Sequence, residues 1–330
     1  MPKNEQSAAQ RREQVREQRQ QRQTTNQNIQ SRNSGNIRKK SDGNRNTWYL
    51  IGGILLMCAV VIGGFIFLSQ QQAASTQAQQ VSAFQALTKI DPKLLATVGS
   101  GNAKNLMVAV KGNPPLLKGP TGKPEFFYVG GEYCPYCAAQ RWGVIVALSR
   151  FGTFGPVPAI TSSEGSVPTF SFHNVTYQSQ YIDFVAREQA DNKNQPLDTL
   201  TAEQKQTFSK YDAPPYVDAQ SAGSIPFIDI ADRYVSAGAY YPPTTLVGLT
   251  YPDIEKQILD PTTDVSKGVL GTANYLTAAI CEATNNQPAS VCGAEPIPTL
   301  QSSLPKVTSS GLLPLAIANN PYEAVTRREG

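Results

Sequence analysis

The stretch FFYVGGEYCPYCAAQRWGVIVAL, residues 126–148, decides the fold of the C-terminal part of this chain. It opens with an apolar run typical of a buried strand, and the glycine pair at 130–131 interrupts that run. Cys134 and Cys137 follow. From Pro135 onward, apolar residues recur at helical spacing. The order therefore predicts a strand, a tight turn, a Cys-Pro-Tyr-Cys motif and a helix.

This order suits thiol chemistry. Cys134 is predicted at the N-cap of the helix, where unpaired backbone N–H groups and the positive end of the helix dipole stabilise a thiolate. Such a setting lowers a cysteine pKa from ~8.5 to between ~3.5 and ~7.5. Pro135 takes the first helical position, where its missing N–H costs nothing. Cys137 lies on the same helix face and is predicted to be the resolving thiol.

Two other uses of a Cys-x-x-Cys motif stay open. A zinc site needs a second ligand pair at short spacing, whereas Cys281 and Cys292 are eleven residues apart and His173 is the single histidine of the chain. No metal is therefore expected. A permanent structural disulfide between Cys134 and Cys137 is the second alternative. The position directly between a strand and a helix favours redox chemistry.

Residues 1–68, about a fifth of the chain, have a different composition. Residues 1–46 hold eleven Lys or Arg and four Asp or Glu, a net charge of +7, which leaves −3 for the rest of a chain whose total is +4. This tail has few large apolar side chains, so we expect residues 1–47 to be disordered. Residues 48–68, WYLIGGILLMCAVVIGGFIFL, carry no charge and at 1.5 Å per residue reach ~30 Å. They are predicted to be a transmembrane helix.

The flanking charges predict the orientation of this span. Basic residues precede it, and no Lys or Arg follows it before Lys89, so the N-terminus is expected in the cytoplasm and residues 69–330 outside. Cleavage near residues 73–75 is the alternative, but the apolar run exceeds a typical signal core. Cys58 lies inside the span. The other four cysteines then face a compartment where disulfides persist.

Strands and helices are interleaved in the rest of the chain, which indicates an α/β domain. A polar linker at 69–80 precedes this domain, which is expected to span 81–295, and a loosely ordered tail follows at 296–330. The predicted strands are 105–110, 125–129, 170–172, 181–185, 224–230 and 233–236. The predicted helices are 81–97, 135–151, 201–210, 251–260 and 264–285.

Four segments together carry a resemblance to a known family: the apolar anchor, GGEYCPYCAAQRW at 130–142, SIPFIDI at 224–230 and CEATNNQPASVC at 281–292. Residues 81–295 resemble the thioredoxin superfamily. More narrowly, they resemble a family of membrane-anchored proteins named for domain of unknown function 929. The resemblance implies a thioredoxin-like fold with an insertion, behind a single transmembrane helix.

The resemblance also implies roles for individual residues. Cys134 would attack a disulfide and Cys137 would resolve the mixed disulfide. Pro226 would be a cis-proline that faces the dithiol and shapes substrate binding, and the backbone of Ile225 would pair with a substrate strand. Pro135 and Tyr136, between the cysteines, complete the expected substrate-binding set.

The chain departs from thioredoxin in two ways. Tyr128 stands six residues before the attacking cysteine, where thioredoxin carries a buried acid, and the nearest acid, Glu132, is expected to be exposed. The sequence therefore does not identify the residue that would act as the assisting base. Cys137 and Pro226 are also 89 residues apart, which predicts a large insertion over much of 160–222.

Cys281 and Cys292 bracket a turn-rich loop and are predicted to form a structural disulfide. A second redox pair that relays electrons is the alternative. The function expected is a membrane-anchored thiol–disulfide oxidoreductase without a cofactor, acting on protein thiols or disulfides with an unknown redox partner. No nucleic-acid partner is expected. The alternative is a non-catalytic thioredoxin-like binding module.

Overall fold

The computed structural model describes residues 45–306, so most of the predicted basic tail and the last residues of the predicted C-terminal tail lie outside it. The chain divides between Gln70 and Gln71 into two compact units. Helix α1, Arg45–Leu87, begins in the first unit. It is long and apolar enough to cross a membrane, with a mean hydropathy of 2.7 over 18 residues, and its apolar side chains from 51 to 68 are exposed.

Helix α1 also runs through the predicted linker at 69–80 without a break. This stretch is rich in Gln and Ala and contains no Gly or Pro, so nothing in it ends the helix. The helix predicted over 81–97 is interrupted, because α1 ends at Leu87 and a new helix begins at Pro92. The Asp91 side chain caps this new helix and accepts a hydrogen bond from Lys93 N at 2.8 Å.

The second unit contains short and medium helices. In the described part of the chain they are α2 Pro92–Val98, α3 Pro135–Ser149, α4 Ala202–Tyr211, α5 Tyr251–Ile258, α6 Asp264–Ala283, α7 Ala289–Cys292 and α8 Ile297–Ser303. Helices α3, α4, α5 and α6 match the predicted ones within a few residues. A capping box begins α4, because Thr201 and Gln204 satisfy each other's backbone N–H groups.

The strands form one central sheet and two small ones. They are β1 Val108–Ala109, β2 Glu125–Gly130, β3 Gly152–Phe154, β4 Ala159–Thr161, β5 Pro168–Phe170, β6 Tyr177–Ser179, β7 Asp183–Glu188, β8 Phe227–Ile230 and β9 Tyr234–Ala237. The central sheet has the order β1–β9–β8–β2–β7. Strand β2 pairs in parallel with β7 and antiparallel with β8, so it lies inside the sheet. The strands predicted over 224–230 and 233–236 correspond to β8 and β9, which pair antiparallel.

The range 160–222, over much of which an insertion is predicted, contributes to the central sheet. Strand β7 lies within that range and belongs to the central sheet, where Gly130 of β2 pairs with Glu188 of β7. Between α3 and β7 lies a segment with the four short strands β3 to β6, which pair as β3–β6 and β4–β5. Strand β7 lies at the edge of the central sheet, and most of its side chains are half-buried. Its sequence therefore lacks the apolar run of a buried strand and does not distinguish it from the short strands β3 to β6.

Both faces of the central sheet are covered, and alternate residues of β2 serve the two faces. Phe126 and Tyr128 point into the large core with α3 and α6, whereas Phe127 and Val129 point into a smaller core with α4. Helix α3 is buried from Cys137 to Leu148, so the sequence after the motif packs on all sides. Gly143 lets α6 approach, since a Cβ there would lie 2.5 Å from Thr272 Cγ2.

Part of the predicted loosely ordered tail is folded, so that prediction is wrong for residues 297–304. Helix α8 buries Ile297, Leu300 and Leu304 in the large core. These three residues recur at helical spacing, a pattern that the surrounding Pro, Ser and Thr residues obscured in the sequence.

The central sheet also buries an acid. Asp229 of β8 is fully buried, and its Oδ1 accepts a hydrogen bond from Asp232 N at 2.8 Å. Its Oδ2 has no partner among the described residues. Burial, followed by the charges of Asp232 and Glu125, raises the pKa of Asp229 well above its usual range. Burial together with the charge of Asp183 raises the pKa of Glu125 to about 7.

We predict that D229N stabilises the protein at pH 8 and leaves its stability at pH 4 unchanged. The raised pKa means that the native state holds the Asp229 proton longer than the unfolded state, so wild-type stability falls as pH rises above the unfolded value of ~3.9. The asparagine stays neutral and removes this loss, a gain of about 2 kcal/mol at pH 8. Denaturant unfolding of the full chain in detergent at both pH values measures it. The control is D218N at an exposed acid. Equal shifts of D229N at both pH values would contradict the prediction.

Candidate active site

The dithiol motif lies where the sequence places it, between β2 and α3. Cys134 is the N-cap of α3, as predicted, with extended backbone angles (φ −79°, ψ 124°), and Pro135 begins the helix. The Cys134 sulfur accepts a hydrogen bond from Cys137 N at 3.4 Å. Cys134 is 6% exposed, whereas Cys137 is fully buried. Of the two cysteines, only Cys134 therefore retains exposed surface.

The environment separates the two thiols chemically. The hydrogen bond from the Cys137 thiol lowers the pKa of Cys134 to about 7, assisted by the backbone N–H groups of Cys137 and Tyr136 and by the charge of Arg141, against burial. Burial raises the pKa of Cys137 well above its usual value, and the hydrogen bond to Cys134 and the charge of that sulfur add to this. At neutral pH the arrangement therefore supplies a thiolate at Cys134 and a protonated thiol at Cys137.

The segment before β8 faces Cys134. The carbonyl oxygen of Ile225 lies 3.8 Å from Cys134 Sγ, so the predicted proximity of this segment to the dithiol is confirmed. The Ile225–Pro226 peptide bond is cis. Tyr136 projects into solvent with 54% of its surface exposed, and Ile225 and Pro135 are half-buried. The structure thus brings together all six residues predicted for the dithiol and its substrate surface.

The segment with strands β3 to β6 also borders the Cys-Pro-Tyr-Cys motif. In the turn between β4 and β5, Glu164 N donates to the carbonyl of Tyr133 at 3.1 Å. A Cβ at Gly165 would lie 3.4 Å from Pro135 Cβ. The indole of Trp142 in α3 donates to Pro168 O at 2.9 Å, which fixes the base of this hairpin. The β4–β5 turn is therefore one wall of the surface around Cys134.

A buried ion pair, not predicted from the sequence, lies next to the dithiol. Arg141 of α3 and Glu188 of β7 are both fully buried and make two hydrogen bonds, of 2.9 Å from Nε and 2.7 Å from Nη2. The position of Arg141, one helical turn after Cys137, was a signal in the sequence. The identity of its partner was not, because it depends on the register of β7 against β2.

The prediction that Glu132 is exposed is wrong. Glu132 is 9% exposed, and its Oε1 accepts a hydrogen bond of 2.5 Å from Ser171 Oγ. The segment after β5 covers it, and that contact joins residues far apart in sequence. Tyr128, at the position of the thioredoxin acid, is fully buried, and its hydroxyl has no partner among the described residues.

The remaining polar candidates lie apart from this chemistry. His173 is half-buried in a turn, and its Nδ1 is 2.9 Å from Asp198 Oδ1. Within residues 45–306, no group of three or more His, Cys, Asp or Glu side chains is placed to hold a metal ion.

The predicted disulfide between Cys281 and Cys292 is confirmed, with an S–S distance of 2.02 Å. It joins the end of α6 to α7 across a loop of eleven residues, which stabilises the fold by roughly 3 kcal/mol in the chain-entropy model. Both sulfurs belong to buried residues of the large core. Cys58 is unpaired and exposed on α1.

Comparison with known proteins identifies the family. The model of a family described as domain of unknown function (DUF929) matches residues 115–282, about half of the chain. The chain belongs to this family. The resemblance to DUF929 found in the sequence is thereby confirmed. Neither the curated proteins nor the solved structures contain a match to the chain. The DUF929 match includes the dithiol, the Arg141–Glu188 pair and Pro226.

We predict that iodoacetamide alkylates reduced Cys134 with a half-maximal rate near pH 7, because its pKa is about 7. Cys137 remains unmodified up to pH 9, because it is buried and its pKa is raised. Peptide mapping of the alkylated full chain by mass spectrometry measures each site separately. The same reaction in denaturant, where both cysteines are accessible, provides the comparison. Equal alkylation of Cys134 and Cys137 at pH 7 would rule out the asymmetry.

Proposed function

We propose that this DUF929 protein is a membrane-anchored thiol–disulfide oxidoreductase whose domain after the span has a thioredoxin-like fold and acts outside the cytoplasm. The observation that carries the proposal is the asymmetric dithiol. Cys134 is a slightly exposed cysteine at a helix N-terminus with a pKa of about 7, and Cys137 is a buried thiol one turn further on. This is the arrangement that a nucleophile and a resolving thiol need.

The architecture supports a thioredoxin-like domain. A Cys-x-x-Cys motif at the junction of a strand and a helix in a βαβ unit is typical of thioredoxin-like redox proteins, and β2, α3 and β7 form such a unit. The antiparallel pair β8–β9 and helix α6 complete the domain. The cis bond before Pro226 lies at the start of β8, beside Cys134.

The exchange reaction needs no group beyond two sulfurs and a protein disulfide. The Cys134 thiolate attacks one sulfur of a substrate disulfide, forms a mixed disulfide and releases the other substrate sulfur as a thiolate. Cys137 loses its proton and attacks Cys134 Sγ, which releases the second substrate thiolate. The substrate gains two electrons and the 134–137 pair becomes a disulfide. The reverse steps oxidise a substrate dithiol, and the redox potential decides the net direction.

Substrate contact is assigned to the surface around Cys134. The exposed ring of Tyr136 and the half-buried side chains of Pro135 and Ile225 offer an apolar surface suited to an extended protein segment. The backbone of Ile225 is available for strand-like pairing with such a segment. Protein thiols and disulfides are therefore the proposed substrates, and no cofactor takes part in the steps above.

The anchor supports the proposed location. Helix α1 has the length and composition of a membrane span, and the charge of the N-terminal residues favours a cytoplasmic N-terminus. The domain from Gln71 then lies outside the cytoplasm, where disulfides such as Cys281–Cys292 persist.

The redox potential of the dithiol tests the activity. In full chain that carries C58S, we expect the 134–137 pair to equilibrate with glutathione between about −120 and −230 mV. C137S in this background should accumulate a mixed disulfide at Cys134, because the resolving sulfur is absent, and C134S should abolish exchange. A pair that stays oxidised below about −300 mV is a structural disulfide. That result would reject the proposed enzyme activity and favour the alternative, a non-catalytic binding module.

Labelling of single cysteines tests the orientation. In full chain that carries C58S, C134S and C137S, we expect a membrane-impermeant maleimide applied to intact cells to label S75C but not S41C. Permeabilised cells should show both, which controls for reactivity. Labelling of S41C alone in intact cells would reverse the proposed topology.

A further inference from the structure

The Arg141–Glu188 pair is connected directly to the turn that presents Cys134. Besides its two bonds to Glu188, Arg141 Nη2 donates to the carbonyl of Gly131 at 2.8 Å. The same carbonyl accepts a hydrogen bond from Cys134 N at 3.2 Å. One oxygen therefore joins the guanidinium to the backbone of the attacking cysteine.

The turn has little freedom to change its shape. A Cβ at Gly131 would lie 2.7 Å from the ring of Tyr133, so a side chain at this position would collide with its neighbour. Glu132 N donates to Ala190 O at 2.9 Å, just after β7. Glu188 carries a second link, because its Oε1 accepts from Phe172 N at 3.3 Å. The ion pair thus ties the active-site turn, α3, β7 and the covering segment together.

The charges around the dithiol come from three elements. Arg141 of α3 follows Cys137 by four residues and so lies on the same helix face. Tyr128 of β2 is neutral at physiological pH because burial raises its pKa well above its usual value. Glu188 of β7 supplies the negative charge. The charge of Arg141 lowers the pKa values of both thiols, although other effects are larger at each sulfur.

Stability alone does not account for an ion pair in this place. Removing two charges from water is expensive, and a buried pair replaced by apolar side chains of similar volume is often as stable or more stable. Arg141 Nη1 has no partner among the described residues, which adds to the cost. Buried charges of this kind cluster at functional sites.

We propose that Arg141, held in place by Glu188, is a positioning residue for the dithiol. It fixes the turn that places Cys134 at the helix N-terminus and supplies positive charge that favours the attacking thiolate over the thiol. This role rests on the proposed function, since it concerns the reactivity of the same sulfur. Because Arg141 favours the Cys134 thiolate, it stabilises the reduced dithiol. The Cys134–Cys137 disulfide is then a stronger oxidant.

The double variant R141M/E188L tests this role in full chain that carries C58S. It removes both charges together, so the fold is retained without an unpaired buried charge. We expect the pKa of Cys134 to rise by about one unit. Alkylation of Cys134 then falls about tenfold at pH 6 and less than twofold at pH 9, where the thiolate predominates in both proteins. A purely structural role would change the two rates by the same factor.

Three further variants complete the test. R141Q/E188Q replaces the pair with neutral hydrogen-bonding side chains and gives the same readout if the apolar pair does not fold. R141K keeps the charge and should retain most of the wild-type rate at pH 6. R150M removes another half-buried arginine near the far end of α3 and should leave the pH profile of Cys134 unchanged.

The outcomes separate the two proposals. A folded double variant whose Cys134 profile matches wild type overturns the role of Arg141, while exchange by the wild type would still support the enzyme. A shifted profile in a protein that does not exchange thiols supports the role of Arg141 and rejects the proposed function. A shifted profile together with exchange supports both.

Discussion

The first turn of α3 leaves backbone N–H groups without helical acceptors, and Cys134 Sγ occupies the place of a capping oxygen in front of them. A thiolate is a better acceptor for such donors than a thiol, so the hydrogen bonds that cap the helix also favour the reactive form of the sulfur. Other features of the domain serve this placement. Strand β2 ends at Gly130, between β7 and β8, and the two neighbours bring Glu188 and the Ile225 segment to the same end of the sheet.

The site has one slightly exposed cysteine, and the polar groups behind it are fully buried. Cys137, Arg141 and Glu188 are fully buried, whereas Cys134 retains a small exposed surface beside the exposed Tyr136. Burial raises the pKa of both thiols, but at Cys134 the hydrogen bonds from the Cys137 thiol and from the helix N–H groups outweigh it. The low dielectric of the interior strengthens hydrogen bonds and charge–charge interactions. The position of the Arg141 guanidinium therefore has a larger effect on the thiols than it would have in water.

Local patterns in the sequence predicted the parts of the site that local interactions determine. The strand, the glycine turn and the helix around the dithiol follow from periodicity and capping, and the disulfide at Cys281 follows from spacing and composition. Long-range packing determines what was missed. Arg141 meets Glu188 through a parallel register 47 residues away, and the segment that buries Glu132 comes 39 residues later. Strands of three residues, such as β3, are too short to show a period.

The two cysteine pairs limit how a redox cycle can run in this domain. The Cys281–Cys292 disulfide is buried in the large core, so its sulfurs do not meet an incoming thiolate without local unfolding. In the proposed reaction the 134–137 pair changes its oxidation state once per substrate and must be returned by a second protein or small thiol. Cys134 is the cysteine of this pair that retains exposed surface. The substrate and the redox partner must therefore use the same surface in turn, and each must leave before the other can bind.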